Sequence, residues 1–179
     1  KEAMKKEIKA KIRQIFRKSL KDIKSFECVK VAARENEDPS SISIPSSLLF
    51  SSGISFRKEA ASFFDSLTRF MFSLGNAQAV IFPEGIGGGD AKVLDMRRTM
   101  GISTHLYSAG IAPSRVKVNL INSQVEIPKA LQSFKGIVIL LNYESFALNA
   151  EAVMNEDAGP PLSLVVYPSV FYPDLSECS

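Results

Sequence analysis

The stretch from Leu94 to Val118 constrains this chain more than any other, because it spells out a helix, the stop of that helix and the strand that follows. Leu94, Arg98, Ile102 and Leu106 recur every four residues and would share one stripe of a helix, with an arginine where the pattern expects a hydrophobe. Gly110 can take the positive φ that ends a helix, Ile111 can fold back as the hydrophobic partner of that stop, and Pro113 forbids continuation. Val116, Val118 and Leu120 then alternate with Lys117 and Asn119, the period of a strand with one buried face.

Around this unit the same reasoning assigns the rest of the chain. Residues 2–27 read as an amphipathic helix, with Ile8, Ile12, Ile15, Phe16, Leu20, Ile23 and Phe26 at three- and four-residue intervals among lysines. Packing on its own domain is the first reading of that stripe. A partner helix and a membrane surface stand behind it, the latter weakened by interspersed acids and by the absence of Trp. Val29 to Ala33 suits a short strand, and the Pro-, Ser- and acid-containing segment 34–43 suits an exposed connection. Leu48 to Phe50 reads as a short strand and 51–55 as a turn around Gly53. Arg57 to Leu74 reads as a helix whose Ala60, Phe63, Phe64, Leu67, Phe70, Met71 and Leu74 form a broad apolar face. Ala77 to Phe82 is a second strand, and the glycine-rich Gly85 to Asp90 a loop leading to the helix of Arg98. Past Leu120, a short helix is expected around Pro128 to Phe134. Gly136 to Leu141 is a fully apolar strand suited to a central position, and Leu162 to Tyr167 is a candidate added strand.

Composition removes several classes of function. A hydrophobic content of 45% supports a real core in one domain with appendages. The net charge of +3 is mild and concentrated in the first helix, so it does not form a nucleic-acid footprint. Cys28 and Cys178 are too few and too far apart for a disulfide framework; they could pair, but spacing does not decide it, and neither has a companion at metal-ligand spacing. No apolar run approaches the roughly 20 residues of a membrane span. His105, the single histidine, has no matched nucleophile or acid and reads as a surface or packing residue. The Gly85 to Gly89 run lacks the Lys-Ser or Lys-Thr of a phosphate loop. No nucleophile, base and orienting group can be assembled, so an enzyme ranks last, and no cofactor or metal is expected.

Three motifs in order carry a resemblance. Ile44-Pro-Ser-Ser-Leu-Leu-Phe-Ser-Ser-Gly followed by Phe56-Arg-Lys-Glu-Ala-Ala, Leu94-Asp-Met-Arg-Arg-Thr-Met-Gly-Ile, and Gly110-Ile-Ala-Pro-Ser-Arg-Val are similar to the peptidoglycan-binding domain shared by OmpA, Pal and the flagellar stator protein MotB. The stator type is the nearest match, and the correspondence runs over 44–141. The resemblance implies an α+β fold: an OmpA-like two-layer sandwich, a mixed sheet covered by helices. To this the chain adds an N-terminal helix and linker (1–43) and a C-terminal extension (142–179). It also implies a non-catalytic, periplasmic, cell-wall anchoring role in an envelope motor, tethered to the inner membrane, working as a homodimer beside a membrane channel partner and without nucleic acid.

In that family an acid in the loop after the second strand binds the ammonium of the diaminopimelate in the peptidoglycan stem peptide, and the helix arginine binds its carboxylate. Carried over, the arginine is Arg98, but Gly88 stands where the acid belongs. Asp90, two residues on, could take the amine or could serve only as an N-cap. Asp95 replaces a family Ser, and Gly85 and Gly88 would shape the loop. Arg98 is either the carboxylate fork or a structural ion pair with Glu84, Asp90 or Asp95. The missing acid keeps a second class open: a scaffold module of an envelope or secretion complex that has lost glycan binding.

Overall fold

A computed structural model describes residues 1–33, 39–84, 92–119, 125–126, 134–142 and 165–166. The architecture is α+β: a five-stranded mixed sheet in the order β1-β2-β8-β5-β6, with helices packed on one face. The elements in chain order are α1 (Glu2–Ser25), β1 (Lys30–Ala33), β2 (Pro39–Pro45), α2 (Ser46–Leu49), β3 (Phe50–Ser52), β4 (Ser55–Phe56), α3 (Ala60–Ser73), β5 (Gln78–Phe82), α4 (Val93–Ser108), β6 (Val116–Val118), β7 (Val125–Glu126), β8 (Gly136–Asn142) and β9 (Val165–Val166).

The sheet is held in register by rows of branched side chains. Ile42 of β2 faces Ile139 of β8, which faces Ile81 of β5; beside that row, Leu141 faces Ala79, which faces Val116 of β6. These residues join Phe63, Phe64, Leu67, Phe70 and Met71 of α3, Ile102 and Leu106 of α4 and Ile23 of α1 in one core. The opposite face is buried as well, through Val80, Phe82, Val138 and Leu140 with Ser41 and Ser43. Burial on both faces explains why β8 is apolar at nearly every position. Within the five-stranded sheet the one parallel pairing, β5 with β6, follows from α4 acting as the crossover between them.

The helix stop read from Gly110 is a Schellman motif. Gly110 has φ +105°, its N–H donates to Tyr107 O at 3.0 Å, and the Ile111 N–H donates to Leu106 O at 3.0 Å while the Ile111 side chain is buried. Arg115 then locks the unit to the sheet. Its Nε donates to Ala77 O at 3.0 Å and its Nη2 to Met71 O at 2.7 Å, so one side chain ties the end of α3 and the approach to β5 to the start of β6.

Four expectations are corrected. Segment 39–43 is not an exposed connection but most of β2, fully buried. Ser41 and Ser43 alternate with Ile42 and Ile44 at the period of a strand, and β1 and β8 satisfy its backbone on both sides. Leu48 and Leu49 are helical rather than extended. Pro45 precedes the turn of α2, and the Ser46 N–H donates to Lys135 O at 3.1 Å, so the strand begins only at Phe50. Leu94 is 42% exposed, because the stripe of α4 is buried only from Thr99 onward. Helix α1 docks only in part: Phe16, Leu20, Ser19 and Ile23 pack toward α3, with Phe16 stacked on Phe70 at 5.6 Å, whereas everything before Phe16 is exposed. The short helix expected at 128–133, and most of Leu162 to Tyr167, lie outside the described residues; Val165–Val166 pairs in parallel with Val125–Glu126.

Candidate functional site

Arg98 enters the structure one turn into α4 and meets the hairpin made by β3 and β4. Its Nε donates to Gly53 O at 2.6 Å, and its guanidinium carbon sits 4.7 Å from the centre of the Phe50 ring. Phe50 is itself fixed. It stacks on Phe56 at 5.1 Å, and Phe56 meets Phe64 of α3 edge-on at 5.0 Å. A cation over an aromatic face and a charge-assisted bond to a carbonyl together fix the plane of the guanidinium fork. The Nη donors make no hydrogen bond among the described residues, and Arg98 forms no ion pair there; those within 4 Å are Arg57–Glu59 and Arg69–Asp65.

The fork lines a cavity of about 720 Å³ whose wall also includes Ser46, Phe50, Arg57, Glu59, Glu84, Glu27, Phe134 and Lys135. Three acids and three bases share that wall. Glu84 stands two residues beyond β5, is half-buried, and accepts a short hydrogen bond from the Ser46 hydroxyl. Glu59 at the rim has its carboxyl held below the usual range by a backbone hydrogen bond, with Arg57 adding to the effect. Cys28 also lines the cavity; it has φ +61° and is disulfide-bonded.

Of the residues singled out from sequence, Arg98 lines this cavity and Asp95 does not. Asp95 lies on the first turn of α4, where burial and then the nearby Glu84 carboxylate push its pKa up, against the pull of Arg98 and Lys92. Gly85, Gly88 and Asp90 lie outside the described residues. His105 packs against the Phe64 ring at 4.5 Å between ring centres. Among the described residues no group of His, Cys, Asp and Glu could hold a metal, and no helix is long and apolar enough to cross a membrane.

The chain is similar to MotB-like periplasmic domains. Among solved structures it superposes on a MotB-like protein from Desulfovibrio vulgaris with a TM-score of 0.47 and 14% identity, covering 78% of this chain and 98% of that one. It also superposes on the periplasmic domain of Helicobacter pylori MotB with a TM-score of 0.47 and 11% identity, covering 78% and 95%. No family model and no curated protein matches the sequence. At such identities the likeness assigns no role to any residue of this chain.

Glu84 shares the cavity wall with Arg98, a placement that the sequence did not single out. It was visible only as a structural partner for Arg98, because the motif comparison directs attention to Gly88, four positions later. The available signal was its position: an acid just past the carboxyl end of a buried strand is where a side chain leaves the core and reaches a cleft.

Proposed function

We propose that this chain is a non-catalytic cell-wall anchoring domain of the MotB-like kind, in which the cavity beside Arg98 takes the amino-carboxylate end of a peptidoglycan stem peptide. The observation that carries the reading is the state of Arg98: oriented by Phe50 and Gly53, facing a cavity, and without a carboxylate partner among the described residues. A guanidinium held in this way is a preformed fork for a ligand carboxylate. Glu84 on the same wall supplies an acid for the ligand's ammonium, a task for which the motif position Gly88 has no side chain. The disulfide at Cys28 favours an oxidising compartment, in keeping with a periplasmic setting. Dimerisation, inner-membrane tethering and a channel partner belong to the same proposal and rest on the motif resemblance.

The missing acid at Gly88 favours a second reading, a scaffold of an envelope or secretion complex without glycan binding. Pelleting with purified peptidoglycan sacculi separates the two. Removing one partner of a charged, partly desolvated contact costs about 2 to 5 kcal/mol, so Arg98→Ala is expected to lose measurable pelleting while keeping its far-UV circular dichroism. Glu84→Gln should weaken pelleting in the same direction. A native chain that stays in the supernatant would sink the anchoring reading and leave the scaffold.

A further inference from the structure

The first half of α1 leaves the domain. Met4, Ile8, Ile12 and Ile15 are 66%, 54%, 43% and 45% exposed, although they continue the stripe whose later members, Phe16, Leu20 and Ile23, are packed on the core. An apolar stripe carried out into solvent is stable only if something covers it. Charge indicates what. Residues 1–24 hold ten Lys and Arg against three acids, a net of +7 within a chain whose total is +3. By helical geometry Lys5 and Lys9 flank the stripe on one side and Lys11 on the other, so two copies laid side by side would set like charges against each other. An anionic bilayer surface has the complementary layout, since apolar side chains enter between the lipid heads while flanking lysines reach the phosphates.

We propose that the segment from Glu2 to Ile15 is a membrane-surface helix that seats this domain on anionic phospholipid. The idea is independent of the cavity and of what the cavity binds. It is tested by flotation of the full chain with phosphatidylcholine vesicles, with and without phosphatidylglycerol. The native chain is expected to float with the anionic vesicles alone, and less so as salt rises. The double variant Ile8→Ser/Ile12→Ser should lose flotation. In the triple variant Lys5→Glu/Lys9→Glu/Lys11→Glu, each change should weaken partitioning by at least about fivefold. All five side chains are exposed, so melting curves of both variants should match the native one. Absence of flotation, flotation equal on uncharged vesicles, or flotation retained by either variant would overturn the proposal. So would self-association in lipid-free sedimentation that disappears in the isoleucine variant, which would assign the stripe to a second copy. A chain that ignores vesicles but is retained by an immobilised acidic peptide would assign it to an acidic protein.

Discussion

Replacing Arg115 by alanine tests whether the helix-turn-strand unit is held to the sheet by the side chain that ends its motif. The guanidinium donates to Ala77 O at 3.0 Å and to Met71 O at 2.7 Å, and burial holds its pKa below the usual arginine value without neutralising it. Hydrogen bonds involving a charged group contribute about 1.5 to 3 kcal/mol each. The two do not simply add. Met71 O keeps a second donor, the Leu74 N–H at 3.2 Å, and the variant regains the desolvation that the half-buried guanidinium now costs. A net loss of about 2 to 4 kcal/mol follows, a large share of the 5 to 15 kcal/mol typical of a domain. Urea unfolding followed by far-UV circular dichroism measures it, and thermal melting should fall by roughly 5 to 15 °C. Arg115→Lys should lie between the two, because one ammonium on a flexible stem cannot reproduce the fork. A change within about 0.5 kcal/mol for Arg115→Ala, the range of ordinary surface substitutions, would refute the reasoning.

Other outcomes follow from particular contacts. Gly136→Ala would place a Cβ 2.3 Å from Ile44 O and against the Phe134 ring, so β2 and β8 must separate; a loss of about 1 to 3 kcal/mol or more is expected in the same unfolding assay. Gly110→Ala must adopt φ +105° and should cost about 1 to 2 kcal/mol, read as a lower urea midpoint at unchanged slope. For Asp95 the folded pKa is raised, so its contribution to stability is fully present below the ordinary aspartate range and is lost as pH rises through the folded value. Asp95→Asn should therefore melt higher than the native chain at neutral pH and flatten the melting-temperature profile just above that range.

Much of the fold was legible because burial leaves a period in the sequence. The face predicted for α3 matches its buried residues from Ala60 to Met71, and the run from Gly136 is the central strand, as an apolar segment covered on both faces must be. What misled was composition. Pro39 and the serines of β2 look like a loop, and only the alternation with Ile42 and Ile44 betrays a strand. The stripe of α4 could not announce where it stops being covered, since Leu94 obeys the same spacing as Leu106 although only Leu106 reaches the core. For α1 the sequence showed an apolar stripe but not which half would find a partner. The candidate site was legible in one residue, Arg98, because an arginine on an apolar stripe breaks its own pattern. Glu84 carries no such mark, and its place on the same cavity wall depends on which segments meet beside it.

That meeting is dictated by topology. Strands β5 and β6 are parallel, so the chain must return along the sheet through α4, and the first turns of the helix have to begin beyond the end of β5, close to Glu84. Asp95 records that proximity, since the Glu84 carboxylate helps to raise its pKa. The hairpin β3–β4 is tied on by the Arg57 N–H, which donates to Leu49 O at 2.7 Å, and α2 is tied to the start of β8 through Lys135 O. Three segments far apart in sequence therefore surround Arg98: the hairpin that orients it, the β5 exit that supplies an acid, and the entry to β8 that lines the far wall with Phe134 and Lys135. Among the described residues Glu84 is engaged by the Ser46 hydroxyl and Arg98 by a ring and a carbonyl, so the topology sets an acid and a guanidinium on one cavity wall without pairing them with each other.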